Sequence, residues 1–506
     1  MSGTQRHTAT HSLGETRVTK MEMSTQCHRD AGLCLHRGTV SPLGQGVVDL
    51  ASRTIAILVV VVPATTDSDR DPGGVCVRVV VSFAYLTVKD RLPKILTQII
   101  DRLHRSRAKF HEKHGEEGSE ADKKIISLLS KLRNELLTDK PITPLTDGRP
   151  DVGEWNAYLE AQRSLTAMPS WFTSAWLYVE CYMYRRVQEA VALCPPLNDH
   201  DVFSELKEKS FFDSQKAIIS LCDHLGEVLN KISGLNKDEV KKEFQQLLQV
   251  CLWGNKCDLS ISAGRDNPQK ASPLTGLNDL KAKILIDDTE AVWATLEDKL
   301  KKNPSSTQCF RLDIVLDNAG FELFTDLVLA EFLLASKLVD QIHFHGKCMP
   351  WFISDVTKED VNFTVHLLMA SNHRWSSKLG AAWRSHLKDG SWVYHDHMFW
   401  TLPHEYCSME AIAPDLYAEL QRSNLILFKG DLNYRKLTGD RQWDHTTAFE
   451  TALQGFHPSA LCSLRALKAD LQVGLQPGMV ETLTAADPDW MVSGEYAVIQ
   501  FSDAKQ

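Results

Sequence analysis

Arg311-Leu-Asp-Ile-Val-Leu316, then Asp317-Asn-Ala-Gly-Phe-Glu322, then an apolar run to Leu338 and Gln341-Ile-His-Phe-His345, is the stretch that decides the fold. The first six residues are mostly aliphatic and short enough for a buried strand. The run Phe321 to Leu338 is too long for a strand and strongly apolar, which predicts a helix. Gln341 to His345 predicts a second strand. Strand, helix, strand within so short a span implies a right-handed parallel crossover. Further on, Leu425-Ile-Leu-Phe-Lys429 and Ala469-Asp-Leu-Gln-Val-Gly474 read as later strands, with a helix over Ala411 to Ser423 before the first of them. The expected fold class is α/β, a three-layer α/β/α sandwich with a mostly parallel sheet.

Toward the N-terminus the texture changes. Leu86, Leu92, Ile95, Leu96, Ile99, Ile100 and Leu103 recur at helical spacing, as do Ile125, Ile126, Leu128, Leu129, Leu132, Leu136 and Leu137. Helical patterns also cover Trp171 to Ala192, Gln215 to Ile232 and Lys237 to Leu252. Three parts are therefore expected: a weakly structured extension over 1–81, a helical domain over 82–250 that is followed by a polar loop, Ser262 to Gly276, and an α/β catalytic domain over 251–506. Within the extension, Gly44-Gln45-Gly46 lacks the preceding strand and third glycine of a nucleotide loop.

Composition narrows the function. The 506 residues carry 56 Lys plus Arg against 65 Asp plus Glu, a net charge of -9, which argues against a nucleic-acid partner. The most apolar run, Ile55 to Pro63, is far shorter than the ~20 residues a spanning helix needs, so no membrane partner is expected. The 12 cysteines include no Cys-x-x-Cys pair, and Cys251 with Cys257 lacks a matching second pair for zinc. That usage suits a reducing compartment, the cytoplasm and also the nucleus. His343, His345, His395, His397 and His404 cluster, but structural roles outweigh metal ligation for them. The Trp-rich stretches at Trp375, Trp383, Trp392 and Trp400 read as core packing.

In open α/β sheets ligands bind beyond the carboxyl ends of the strands. There the first strand runs into Asp317-Asn318, the second leads by a short loop to Asp355, and the third ends in Gly430-Asp431-Leu432-Asn433-Tyr434-Arg435. Each acid taken alone reads as a helix cap. Three converging strand ends favour a site of hard oxygen donors suited to Mg²⁺ or Mn²⁺ and to phosphate.

Leu316-Asp-Asn-Ala-Gly-Phe-Glu322, Pro350-Trp-Phe-Ile-Ser-Asp355, Lys429-Gly-Asp-Leu-Asn-Tyr-Arg-Lys-Leu437 and Arg465-Ala-Leu-Lys468 together resemble the blocks of the metal-dependent damage-control phosphatase family, most closely its sugar-phosphate subfamily. The resemblance runs from about Ser82 to Phe501. It implies a phosphatase acting on sugar phosphates such as fructose 1-phosphate and fructose 6-phosphate. It implies Asp317, Asn318 and Asp355 as ligands of Mn²⁺ or Ni²⁺, with Co²⁺ or Mg²⁺ as other occupants. By the same resemblance Asp317, Asn318, Glu322, the block Asp431, Leu432, Asn433, Tyr434 and Arg435, and Lys468 contact substrate, while Asp317, Asp355 and Asp431 carry the chemistry. Asp317 suits either a ligand or a nucleophile. Arg465, and Asn255 and Asp258 in the family-like block Trp253 to Ser260, are second-tier candidates. The family's Arg-Thr-x-Lys motif has Ala466 at its Thr position here, which removes a hydroxyl. The alternative activity is S-adenosylmethionine-dependent O-methylation of glutamate or aspartate side chains on a protein substrate; the single glycine after the first strand supports it weakly.

Overall fold

The computed structural model describes residues 58–59, 79–80, 82–165, 168–254, 274, 277–301 and 309–503. The helical segment opens at Phe83–Leu86, where the Ser82 hydroxyl accepts the Tyr85 N–H at 3.2 Å. One π-helical turn, Thr87–Arg91, leads into α1 (Leu92–Leu137), which bends at Gly115. Apart from Leu86, which lies in the short opening helix, the two apolar runs of the sequence thus lie on one bent helix. Then come α2 (Val152–Leu165), α3 (Trp176–Ala192), α4 (Ser204–Asp213), α5 (Gln215–Lys231) and α6 (Lys237–Trp253). Helix α6 starts at a reciprocal Asn236/Glu239 capping box.

The second half forms a seven-stranded sheet. Its strands are β1 (Ile284–Asp287), β2 (Arg311–Val315), β3 (Gln341–Gly346), β4 (Trp392–Asp396), β5 (Leu425–Lys429), β6 (Leu461–Ala466) and β7 (Ala497–Ser502). Their spatial order is β1-β7-β6-β5-β2-β3-β4, and only the β6–β7 pair is antiparallel. Helices α7 (Thr289–Lys301), α8 (Phe321–Ala335), α9 (Lys358–Met369), α10 (Arg374–Asp389), α11 (Pro414–Leu420), α12 (Gly430–Leu437) and α13 (Met479–Ala486) lie between strands. The α/β reading with a mostly parallel sheet holds. Every residue of β2 and of β5 is buried, because helices cover both faces of a parallel sheet.

Alternate strand residues feed two apolar cores. Ile426 and Phe428 join one with α1, α2 and α3, whereas Leu425 and Leu427 join another with α5, α6, α8 and α10. Helices from both sides of residue 250 share each core. One strand expectation fails. Ala469 to Gly474 forms no strand; its Ala469 and Leu471 carbonyls accept from the Arg465 guanidinium in place of a neighbouring strand, and the sheet uses Leu461–Ala466.

Candidate active site

The turn between β2 and α8 carries the first two donors. Gly320, at a φ of 72°, is the N-cap of α8, and no side chain caps that helix. Asn318 is therefore not a cap. Its Nδ2 donates to Asp317 Oδ2 and to Glu322 Oε2, both at 2.8 Å, and its Oδ1 accepts from the Ser354 hydroxyl at 2.6 Å. Asp355 arrives on the loop after β3, whose Phe352 and Ile353 hold φ of 41° and 71°, strain of the kind a structure retains at working sites. A backbone bridge links Asn318 to Asp355, and the Lys347 ammonium lies 3.1 Å from Asp355 Oδ2. Asp317, Asn318 and Asp355 are all nearly buried.

Gly430 begins α12 at a φ of 83°, and a Cβ there would lie 1.8 Å from Asp317 Oδ2. Just before it, the Lys429 ammonium is fully buried between Asp326 (2.6 Å), Glu322 (3.0 Å) and the Cys251 carbonyl (2.9 Å). Burial pushes the Asp326 carboxyl up to about 6, against the pull of Lys429 and with Glu322 adding to the rise. The bonds from Asp317 through Asn318, Glu322 and Lys429 to Asp326, with the Lys347–Asp355 pair alongside, hold four carboxylates against two ammonium groups.

One cavity, with about 30 Å³ of water-accessible space, brings together Asp317, Asn318, Asp355, Asp431, Leu432, Arg435 and Lys468. Asp431 Oδ1 accepts from Arg465 Nε at 2.8 Å and from the Lys468 N–H at 3.2 Å. Arg435 is buried, with its Nε and Nη2 on Asp440, its Nη1 on Glu180 at 2.7 Å, and its guanidinium 3.6 Å from the centre of the Trp176 ring. The other expected residues stand behind the wall. Glu322 orients Asn318, Asn433 accepts the Tyr406 hydroxyl and donates to the Lys429 carbonyl, Tyr434 donates to Gln500, and Arg465 stacks over Tyr434. Ala466 is buried in β6 opposite Ala497 and does not line the cavity. Asn255 and Asp258 lie outside the described residues.

Sequence reasoning missed the remaining walls: Arg91, Trp176, Glu180 and Phe352. The first three come from the helical segment, more than 130 residues upstream of Asp317, and no local pattern marks them. A separate group of ligand-type atoms, from His343, His395 and Glu419, lies within 4.8 Å but does not line the cavity. There the imidazoles pair with each other at 2.8 Å, and Arg311 donates to Glu419 at 2.6 Å. Burial drives His343 down to about 4, so it stays neutral at ordinary pH.

A parallel sheet whose strand ends present buried carboxylates beside Lys and Arg side chains defines an α/β enzyme for a small anionic substrate. The family model described as the damage-control phosphatase ARMT1-like domain matches residues 87–483. Proteins named damage-control phosphatase ARMT1 are similar to this chain. The mouse protein is 59% identical over 424 residues, covering 83% of this chain and 96% of its own length. The human protein is 54% identical over 445 residues, covering 87% and 99%. A solved DUF89 family protein from Pyrococcus horikoshii covers 80% of this chain and 96% of its own, with a TM-score of 0.34 and 14% identity. The chain belongs to the damage-control phosphatase ARMT1-like family, and it is a phosphatase enzyme. No helix among the described residues is long and apolar enough to cross a membrane.

Proposed function

We propose that this phosphatase hydrolyses sugar phosphate monoesters, fructose 1-phosphate and fructose 6-phosphate among them, with a divalent metal held by Asp317, Asn318 and Asp355. The single observation that carries the reading is that Asn318 caps no helix and joins Asp317 and Asp355 on one cavity with Lys468. The donor set fits a metal. It is all oxygen, it is buried, and its surrounding network has two more carboxylates than ammonium groups, an excess that one divalent cation balances. Mn²⁺ and Ni²⁺ are the favoured occupants, with Co²⁺ or Mg²⁺ as others.

A cation so held would supply Lewis-acid charge to a phosphoryl oxygen and an attacking water. The chain's own residues do the rest. Lys468 neutralises charge that spreads over the phosphoryl oxygens in the transition state. Asp431, fixed by Arg465 and the Lys468 N–H, orients a sugar hydroxyl or exchanges a proton with the leaving alkoxide. Arg435 keeps Glu180 and Trp176 packed at the cavity rim and adds positive charge there. Asn255 and Asp258 remain substrate-side candidates by family resemblance. Methyl transfer from S-adenosylmethionine has less support, since the turn after β2 offers one glycine amid acids. Eight cysteines among the described residues are free thiols, which supports a cytoplasmic and nuclear setting.

The test is phosphate release from fructose 1-phosphate and fructose 6-phosphate by metal-stripped protein, with and without Mn²⁺, beside Asp317→Ala. Release should need metal and fall by at least about a hundredfold in the variant. Absence of release under any metal, with methyl incorporation from S-adenosylmethionine instead, would sink the reading.

A further inference from the structure

The cavity wall contributed by the helical segment carries two buried N–H groups with no acceptor. Arg91 closes the π-helical turn before α1; its Nη2 donates to Glu180 Oε1 at 2.5 Å, while its Nε is buried without a partner. Trp176 opens α3, is 8% exposed, and its indole Nε1 is likewise buried without a partner. Other indole N–H groups, those of Trp155 and Trp383 for instance, also lack acceptors, but these residues do not line the cavity. Of the described residues with an acceptor-less N–H, Arg91 and Trp176 are the ones that line this cavity. A buried donor without an acceptor is costly, and beside a cavity it marks where an acceptor arrives from outside.

We infer that Arg91 and Trp176 bind phosphoryl oxygens of the substrate, so that the helical segment supplies the anion-binding wall opposite Asp317, Asn318 and Asp355. The inference rests on the phosphate-ester reading above. A guanidinium suits the task, since it offers several fixed N–H groups to an oxyanion and Arg91 spends only Nη2 on Glu180. Arg435, the cation that the family block points to, has all three of its nitrogens engaged by Glu180 and Asp440. Glu180 is a positioning residue here: its two oxygens hold Arg91 and Arg435 at 2.5 and 2.7 Å, which fixes Arg91 against the rim.

The experiment measures binding of inorganic phosphate to the full-length, Mn²⁺-loaded protein by calorimetry, together with KM and kcat on fructose 1-phosphate. The variants are Arg91→Met, Arg91→Lys and Trp176→Phe, with thermal unfolding as the check on folding. Arg91→Met should weaken phosphate binding and raise KM by roughly tenfold or more, Arg91→Lys should recover part of that, and Trp176→Phe should cost a few-fold. If Arg91→Met does not fold, the Arg91→Lys and Trp176→Phe affinities decide. Unchanged phosphate affinity in folded variants, or no phosphate binding by the parent protein, would overturn the inference. Variant-sensitive phosphate binding without ester hydrolysis would leave the anion wall standing and remove the hydrolytic reading alone.

Discussion

At the scale of single residues, Gly430 sets the tightest constraint on the site. Its φ of 83° is open to glycine at little cost, and the missing Cβ leaves the space that Asp317 Oδ2 occupies. Gly430→Ala should lose metal binding and phosphate release together, and equilibrium dialysis with Mn²⁺ beside an activity assay measures both; retained metal affinity would show that Asp317 can swing aside. The acids of the site, Asp317, Asp355 and Asp431, were legible in the sequence because each follows a strand directly or by one short loop. Arg91, Trp176 and Glu180 were not, since a side chain delivered by a distant helix leaves no periodic or spacing signal. Arg435 shows a second limit: the family block marks its position, but its saturation by Glu180 and Asp440 depends on partners that only the folded chain assembles.

At the scale of elements, a charged seam fastens three parallel strands. Arg311 grips Asp313 with two nitrogens at 2.7 and 2.6 Å and Glu419 of α11 with a third, while His345 on β3 reaches Asp313 at 2.8 Å and stacks on His395 of β4. Burial alone would raise the Asp313 carboxyl, but the bonds from His345 and Arg311 prevail and hold it at about 2. The stabilisation is therefore complete above the unfolded carboxylate value near 3.9 and disappears as pH falls through about 2. Asp313→Asn should cost about 3–5 kcal/mol at neutral pH, because it removes the buried negative charge that Arg311 and His345 both bind. Urea unfolding at stepped pH should find that the gap to the parent protein narrows between pH 4 and 2; a gap independent of pH would refute the ionic account. The seam also explains what the sequence concealed. Strands β2 and β5 are aliphatic enough to read directly and β3 alternates polar with apolar residues, whereas Trp392 to Asp396 and Leu461 to Ala466 mix in polar residues, of which His395 meets His343 and Arg465 meets Asp431 only in the folded chain. Ala469 to Gly474 has a strand's alternation, yet spends its carbonyls on Arg465.

At the scale of the molecule, the helical and α/β halves differ in texture but divide their cores between them. Helices α1 to α3 share one core with Trp351, Phe352 and Phe428, and α5 and α6 share the other with α8. A chain cut to residues 251–506 would expose both faces of the sheet and lose Arg91, Trp176 and Glu180 from the cavity. We expect that fragment to bind a dye specific for exposed apolar surface and to lack a cooperative melt; a sharp melt would instead establish the catalytic half as a free-standing domain. The sheet adds a temporal condition. Strand β1 pairs with β7 alone, and β7 also covers the outer edge of β6. During synthesis β1 leaves the ribosome more than 200 residues before its partner exists, and β6 waits with a bare edge that invites other chains. A stop between Ala466 and Ala497 would therefore leave β1 without its one partner strand and β6 with a bare edge, so that two strands more than 170 residues apart both wait on the last strand of the sheet.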